Sequence, residues 1–399
     1  MQLFDTARNQ KVPFEPIGGR VGIYVCGITP YDSSHLGHAF VYHVFDVLHR
    51  RLRDLGVSVR SVRNVTDVDD DILRVARLRD VDYRALADSQ VEQFDTDMAA
   101  IGLLPVDVAP RATQHVAEMV DWIARIVDGG YAYAVEGWVF FDSKVYPDYG
   151  RLSRLDRDTM KRLSRERGAD PDDPRKRDPL DFVLWQASAP DEPSWPSPWG
   201  AGRPGWHIEC TVLSTGALGH PIDIHGGGDD LIYPHHESEI AQAEAAGVAP
   251  YVRHWTHVAM VNHQGEKMSK SLGNLVFVRD LVGRVPGAAV RLLLGAHHYR
   301  TSWAYDDSEV DAAAARHRRY VDSVRSGGRL SREAATGHER RFFERLDDDL
   351  DTPGALVELD ALAEQVSGGG AGGGDGVNGG DLLARLLGIL GAETEPVAA

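Results

Sequence analysis

Two histidines, His35 and His38, stand three residues apart where a helical pattern begins. Residues at this spacing lie on one face of a helix, so both imidazoles are expected on the same side. The first turn of a helix also offers unpaired backbone N–H groups and the positive end of the helix dipole. The pattern therefore predicts a phosphate-binding site. A capping turn around one buried histidine is the alternative that the motif alone leaves open.

Two lysines, Lys267 and Lys270, stand in a short stretch between Gly265 and Gly273. Glycines favour a mobile loop, and ammonium groups on such a loop can stabilise charge on a phosphate during its transfer. An ordinary exposed turn is the alternative. We predict that these lysines and the two histidines form the catalytic set.

Two cysteines, Cys26 and Cys210, are the only ones in the chain, and both lie inside motif-rich stretches. His235 and Glu239 are four residues apart, so they share a helix face. Two thiolates, one imidazole and one carboxylate can bind zinc in a tetrahedral arrangement. The alternative is a pair of buried thiols beside a capping helix, since free cysteine is often a core residue.

A strand, helix and second strand are predicted to position the first of these groups. Residues 21–25 form an apolar run that ends at Cys26, and residues 57–62 form a second run. Between them, apolar residues at three- and four-residue steps predict a helix: Val41, Val44, Phe45, Leu48, Leu52 and Leu55. Such a unit commonly binds nucleotides at the carboxyl ends of its parallel strands.

Two polar segments follow apolar runs and are expected near the ligand. In residues 63–71, Asn64 and Thr66 come directly after the second strand, and residues 69–71 can also cap a helix. Glycines 226–228 follow another short apolar run and allow close approach of backbone to a ligand. Asp229 and Asp230 next to them are available to hydroxyl groups.

The rest of the chain predicts further helices, a strand and an insertion. Residues 149–197 are rich in Arg, Asp and Pro and are interpreted as an insertion between two halves of the sheet. The glycine-rich stretch 367–380 predicts a flexible linker. Helices are predicted at 83–104, 110–131, from Pro234 onward, 288–294, 310–325, 339–346 and 381–390, and a strand at 133–141.

Composition limits the class of protein. A chain of 399 residues can form two or three domains, and its net charge of -17 argues against a generally basic nucleic-acid binder, although a local basic face could exist. No apolar run is long enough to span a membrane, and the first twenty residues lack a signal core. We expect a cytoplasmic protein in a reducing compartment, without membrane association.

Five motifs together resemble class I aminoacyl-tRNA synthetases, and within them the cysteine-activating branch. The motifs are CGITPYDSSHLGHA, RNVTDVDD, PSWPSPWGAGRPGWHIEC, DIHGGGDDLIYPHHE and GEKMSKSLGN, and they cover most of residues 20 to 300. The resemblance implies an α/β fold: a class I synthetase-type Rossmann nucleotide-binding domain with an insertion, followed by a C-terminal helical bundle.

The resemblance also implies a division of the chain. We expect residues 1–105 and 201–285 to form the two halves of the catalytic domain, with an inserted connective region at 106–200 between them. Residues 286–320 are expected to resemble a stem-contact region. Residues 321–399 are expected to form a short helical bundle without an anticodon-binding domain.

Two families share these motifs and differ in the acceptor of the cysteinyl group. One is cysteinyl-tRNA synthetase, and the other is the mycothiol-pathway ligase that joins cysteine to the amine of glucosaminyl-inositol. Three features resemble the ligase: the sequence ITPYD at residues 28–32, residues 166–171 and the short C-terminus. Two features resemble the synthetase: Glu239 and the sequence KSLGN. The amino-sugar ligase is our main prediction, with cysteine–tRNA ligase as the alternative. A catalytically silent paralogue and a zinc-stabilised RNA-binding module are minor alternatives.

The resemblance implies a set of site residues and ligands. One zinc ion per chain would be held by Cys26, Cys210, His235 and Glu239 and would select the thiolate of cysteine over serine. ATP with Mg²⁺, L-cysteine and an acceptor, either glucosaminyl-inositol or tRNA(Cys), are the expected partners of a monomer. The residues expected to bind ATP and cysteinyl adenylate are Cys26, Gly27, Ile28, Thr29, Asn64, Val65, Thr66, Trp206, Gly228, Asp229, Asp230 and Val261.

Overall fold

The structure is a computed structural model that describes residues 1–31, 34–268, 273–368 and 376–394. Its strands are β1 Gln2–Asp5, β2 Gln10–Pro13, β3 Arg20–Ile28, β4 Ser58–Val65, β5 Ala132–Val135, β6 Trp138–Phe141, β7 Phe182–Ala187, β8 Gly202–Pro204, β9 Ile224–Gly228, β10 Trp255–Val258, β11 Val261–His263, β12 Glu266–Lys267, β13 Trp303–Ala304, β14 Arg329–Leu330 and β15 Val377–Asn378. Its α-helices are α1 Leu36–Asp54, α2 Asp70–Arg79, α3 Tyr83–Ala100, α4 Val116–Asp128, α5 Arg157–Glu166, α6 Trp206–Leu218, α7 Glu237–Ala245, α8 Val278–Val282, α9 Gly287–Gly295, α10 Asp307–Ser326, α11 Arg332–Leu346, α12 Thr352–Ser367 and α13 Gly379–Ile389.

The central sheet has the strand order β10-β9-β3-β4, and all its neighbouring strands are parallel. Tyr24 of β3 pairs with His225 of β9, so the carboxyl ends of these strands meet at one edge. The pairing of β3 with β4 is interrupted between Val25 and Ile28. There Gly27 approaches the backbone of β4 so closely that a Cβ atom would lie 1.6 Å from the carbonyl oxygen of Asn64. Only glycine fits at this position.

Helix α1 follows β3, as predicted, and begins where His35 caps it. The backbone N–H of His38 donates to Nδ1 of His35 at 3.4 Å. Arg51 and Arg53 lie in the last turn, where positive charge complements the helix dipole. The apolar face of α1 is buried in the larger core cluster: Leu36, Ala39, Phe40, Val44, Phe45, Val47, Leu48 and Leu52. This packing fixes the start of the helix against the edge of the sheet.

Strands β5 to β8, at residues 132–204, form an antiparallel sheet in the order β5-β6-β7-β8. The prediction of one strand at 133–141 is wrong, because Glu136 and Gly137 both have positive φ and turn the chain into a hairpin. The helix predicted at 110–131 is also shorter: α4 follows the short 3-10 turn Ala112–Gln114. This sheet packs with α4 and α6 in the second core cluster, which also contains Cys26 and Cys210.

The C-terminal helices α10 to α13 pack together and against α1 and α9. A buried ion pair joins these parts: Arg291 of α9 contacts Asp46 of α1 and donates through Nε to the carbonyl oxygen of Leu390 at 3.0 Å. The linker prediction is wrong for its last residues, because β15 pairs with β14 and α13 begins at Gly379. Residues 369–375 of that linker lie outside the described residues. The predicted divisions at 105, 200, 285 and 320 remain predictions.

Across the described residues, no helix is both long and apolar enough to cross a membrane.

Candidate active site

Four predicted metal ligands meet at the carboxyl edge of the central sheet. Cys26 lies near the end of β3, Cys210 lies on α6, His235 lies in the wide turn Ile232–His236, and Glu239 lies on α7. The predicted helix from Pro234 therefore begins three residues later. Sγ of Cys26 lies 3.7 Å from both Sγ of Cys210 and Oε1 of Glu239, and Nε2 of His235 lies 3.3 Å from that same oxygen. All four side chains are buried, and their ligand atoms lie within 4.8 Å of one another.

The four side chains fit a zinc ion. Two sulfur atoms bound at ~2.3 Å to one tetrahedral zinc stand about 3.8 Å apart, close to the observed separation of the two thiols. Within the described residues, Nε2 of His235 makes no hydrogen bond. Burial raises the pKa of Cys26 and of Cys210, raises the pKa of Glu239 to about 8 and lowers the pKa of His235. A divalent cation would stabilise the thiolates and the carboxylate that burial disfavours, and burial already keeps the imidazole of His235 in the neutral form that binds a metal.

A second donor set overlaps the first. His225 and His236 can join Cys26 and Glu239, again with all ligand atoms within 4.8 Å. Sγ of Cys26 lies 3.2 Å from Nε2 of His236 and 3.6 Å from Nε2 of His225. Sequence reasoning did not assign these two histidines as ligands. The only signal was their position, one beside three glycines and the other next to His235.

Further hydrogen bonds orient the metal-ligating side chains. The hydroxyl of Tyr251 donates to Oε2 of Glu239 at 2.8 Å. Nδ1 of His207 lies 2.9 Å from Nδ1 of His235, so one of these nitrogens carries the shared proton. Such contacts fix which oxygen or ring nitrogen remains available to an ion.

A buried hydrogen-bond chain connects the two cysteine-bearing segments. The amide of Gly27 donates to Oδ1 of Asn64 at 2.7 Å, and Nδ2 of Asn64 donates to Oγ1 of Thr66 at 3.2 Å. The hydroxyl of Thr66 donates to Oε2 of Glu209 at 2.8 Å. Gly27 follows Cys26 and Glu209 precedes Cys210. This series of hydrogen bonds therefore links the residues next to the two thiols. Sequence reasoning missed Glu209, which is fully buried.

These groups open into a cavity of about 830 Å³. Predicted site residues that line it are Cys26, Gly27, Thr29, His35, His38, Asn64, Thr66, Trp206, Cys210, Gly228, Asp230, His235 and Val261. The structure does not bring Ile28 and Val65 to the cavity, because they pair with each other in the sheet and their side chains are buried in it. Asp229 begins the short turn Asp229–Leu231 and does not line the cavity.

The two histidines of the first motif lie beside each other at the cavity wall. The ring centres of His35 and His38 are 4.1 Å apart. Both line the cavity at the start of α1, where the positive end of the helix dipole also lies. Val41, one turn further on, lines the same wall and offers an apolar side chain.

The lysine loop begins at the same cavity. β12 ends at Lys267, whose backbone pairs with Asn262 of β11, next to the cavity residue Val261. The catalytic roles of both lysines stay predictions, and Lys270 lies outside the described residues.

The segment predicted as an insertion also contacts a residue of the cavity. The segment 166–171 follows α5, and the guanidinium of Arg167 donates to the backbone carbonyl of Asp230. Asp230 lines the cavity, so this segment contacts the loop on which the ligand is expected to lie. Sequence reasoning noted this segment without assigning it to the site.

Solved structures share this fold. Methionyl-tRNA synthetase of Mycobacterium tuberculosis in complex with methionyl-adenylate superposes with a TM-score of 0.64 at 16% identity, covering 93% of this chain and 90% of the other. A leucyl-tRNA synthetase of Agrobacterium radiobacter, in a ternary complex, gives a TM-score of 0.67 at 11% identity and covers 96% and 87% of the two chains. The fold is that of the class I aminoacyl-tRNA synthetases, as predicted.

Sequence comparison narrows the class. The family model described as tRNA synthetases class I (C) catalytic domain matches residues 13–315. A cysteine–tRNA ligase of Thioalkalivibrio sulfidiphilus is 45% identical over 373 residues, which cover 92% of this chain and 80% of the relative. Another, of Chromohalobacter salexigens, is 44% identical and covers 92% and 79%. The chain belongs to the class I (C) tRNA synthetase family, whose members bind ATP and an amino acid and act as ligases.

Proposed function

We propose that the protein activates L-cysteine with ATP, forming cysteinyl adenylate and pyrophosphate, and then transfers the cysteinyl group to an acceptor. The observation that supports this most directly is the buried set of Cys26, Cys210, His235 and Glu239 beside a cavity that the histidine motif also lines. The first candidate acceptor is tRNA(Cys), because relatives 43 to 45% identical over 92% of the chain carry the name cysteine–tRNA ligase.

Selection of cysteine would depend on the metal ligands. Zinc held there supplies a soft Lewis acid that prefers a thiolate to the hydroxyl of serine. Trp206 stacks on His235 at 4.2 Å between ring centres and exposes 37% of its surface, so it can wall the amino-acid pocket. Thr29, which directly follows β3, lines the same cavity.

Activation would take place at the start of α1. The carboxylate of cysteine attacks the α-phosphorus of ATP, and pyrophosphate leaves with its accompanying Mg²⁺. His35 and His38, together with the helix N-terminus, would stabilise the charge that develops on the phosphates. Lys267 and Lys270 are proposed to close over them. Adenosine would lie along residues 228–230 and Val261.

The second step is attack of the acceptor on the activated carbonyl, with release of AMP. Glucosaminyl-inositol is a second candidate acceptor. The segment 166–171, which resembles the amino-sugar ligase, contacts the cavity loop through Arg167 and Asp230, and this placement supports a role for it in the site. An amine would have to arrive deprotonated to attack.

The test is cysteine-dependent exchange of labelled pyrophosphate into ATP with zinc-loaded protein, followed by AMP release with each acceptor. We expect exchange with cysteine and none above background with serine. Charged tRNA(Cys) without amide product would establish the first acceptor, and amide product without charged tRNA would establish the second. Absence of cysteine-dependent exchange would contradict the proposed activation itself.

A further inference from the structure

A second cavity of about 460 Å³ lies on the other face of β3. Side chains alternate between the two faces of a strand, so Ile23 and Val25 line this cavity while Cys26 faces the active site. Phe45 of α1 and Met98 of α3 form further walls. The cavity is mainly apolar, and its volume is within the range of ~300–1,000 Å³ that small-molecule sites occupy.

One polar group in this lining lacks a partner. Arg63 of β4 pairs through Nη2 with Asp95 at 2.7 Å, and its guanidinium lies 4.5 Å from the ring centre of Phe94. Its Nε atom is buried and, within the described part of the chain, has no hydrogen-bond partner. An unsatisfied buried donor destabilises the folded protein, and an acceptor on a bound molecule would remove that cost.

The other ionisable groups that line the second cavity do not favour a charged ligand. Asp46 is paired with Arg50 at 2.8 Å and with Arg291. Burial lowers the pKa of His49, so its imidazole is neutral at physiological pH. A charged ligand would lose hydration here without finding an unpaired opposite charge.

We propose that this cavity binds a small, neutral, mainly aromatic molecule that accepts one hydrogen bond from Nε of Arg63. The molecule would lie against the apolar side chains of Ile23, Val25 and Met98. Its size would be that of one or two fused rings, because the cavity lies at the lower end of the range for such sites.

The same geometry connects this cavity to the active site through Tyr42. Tyr42 lines both cavities, and its hydroxyl donates to the backbone carbonyl of Cys26 at 3.1 Å. Val25, which lines the second cavity, immediately precedes Cys26. A molecule that shifts Tyr42 would therefore shift one metal-ligating residue, and cysteine would reciprocally change the affinity for that molecule. Only this coupling rests on the proposed function; binding does not.

Binding can be tested with quinoline, whose ring nitrogen accepts a hydrogen bond, and indole, which has a similar shape but no such acceptor. We expect calorimetric titration to give a dissociation constant for quinoline at least 5-fold below that for indole with the wild-type protein. Arg63→Leu should remove this preference. Equal affinities of the two probes for the wild-type protein, or no binding of quinoline, would overturn the proposal.

The site of binding can be tested by filling the cavity from its rim. Ala99 is exposed and lines the cavity, whereas the neighbouring Ala100 is exposed and does not. Ala99→Trp should weaken quinoline binding at least 10-fold, while Ala100→Trp should leave it unchanged. Both substitutions lie at the exposed end of α3, so both variants are expected to fold. Equal affinity of quinoline for the two variants would place it elsewhere and overturn the assignment.

The coupling between the second cavity and cysteine binding can be tested by enzyme kinetics. Saturating quinoline should raise the KM for cysteine at least 3-fold in pyrophosphate exchange, with a smaller change in the KM for ATP, in wild type and in Ala100→Trp. The effect should disappear in Ala99→Trp. An unchanged KM for cysteine with quinoline bound would overturn the coupling, and absence of exchange would instead contradict the proposed function, since calorimetry still measures binding.

Discussion

The sulfur atoms of Cys26 and Cys210 lie 3.7 Å apart although 184 residues separate them in the chain. Both thiols are free and buried. Their separation depends on the strand end that carries one and the helix that carries the other, and the chain of hydrogen bonds from Gly27 to Glu209 holds these two elements together.

Cys210 and His235 belong only to the first donor set, and His225 and His236 belong only to the second. Substitution of Cys210 and of His225 therefore distinguishes the two sets. Cys210→Ala should abolish stoichiometric zinc and cysteine-dependent pyrophosphate exchange together. His225→Gln should retain zinc, because the set of Cys26, Cys210, His235 and Glu239 stays complete. Zinc is measured by mass spectrometry of dialysed protein. The reverse pattern, with zinc lost only from His225→Gln, would assign the second set.

The hydrogen bonds that link Gly27 to Glu209 are tested by Thr66→Val, which keeps the shape of the side chain and removes the hydroxyl. Glu209 would lose its donor, at a cost of ~1–3 kcal/mol in the free energy of unfolding. We expect weaker zinc binding in competition with a chelator. Relative to wild type, the KM for cysteine should rise more than the KM for ATP. Denaturant titration measures the stability.

Thr256→Val is the matched control for this substitution. Thr256 is buried on β10, and its hydroxyl has no hydrogen-bond partner among the described residues. Its removal should leave zinc affinity unchanged and cost no stability. Equal effects of both valine variants on zinc affinity would show that the hydrogen-bond chain does not position the thiols.

Substitutions of the two histidines at the start of α1 should distinguish an effect on catalysis from an effect on stability. His38→Ala should lower the rate of pyrophosphate exchange by ~10²–10³-fold, the usual effect of removing one group that stabilises developing charge. His35→Ala should lower the rate as well and also remove the helix cap, at a cost of ~1 kcal/mol in the free energy of unfolding. Exchange rates and denaturant titrations of both variants give the comparison. A fully active His38→Ala protein would exclude the catalytic role.

The buried pair of Asp46 and Arg291 predicts a pH-dependent stability. Burial by itself would raise the pKa of Asp46, but Arg291 and Arg50 outweigh it, so the pKa lies below its ordinary value. A carboxyl group with a lowered pKa stabilises the folded state above its unfolded pKa of about 3.9, and this contribution is lost as the pH falls through the folded pKa.

Asp46→Asn should therefore lower the free energy of unfolding by ~3–5 kcal/mol at pH 7, because it leaves Arg291 buried without its counter-charge. The difference from wild type should stay constant down to about pH 5 and shrink below about pH 4. Denaturant titrations across this range measure it. A difference that does not change with pH would show that the charge of Asp46 is not the cause.

Local patterns were sufficient for much of the fold and part of the site. The apolar runs and helical spacing around Cys26 predicted β3, α1 and β4, because the pattern of a strand or a helix repeats within a few residues. The same reasoning failed at Glu136 and Gly137, where two backbone angles turn one predicted strand into a hairpin. An alternating pattern of apolar residues does not indicate where a hairpin turn interrupts the strand.

Residue types by themselves determined which chemistry is available: two thiols, one imidazole and one carboxylate for a metal, and two histidines at a helix start for phosphate. Only the tertiary structure decided which side chains meet. Pairing of Tyr24 with His225 sets β3 beside β9 and brings His225 to the thiol of Cys26. Packing of α6 on β4 brings Glu209 to Thr66. Such contacts depend on how parallel strands and their covering helices pack, which no local spacing in the chain encodes.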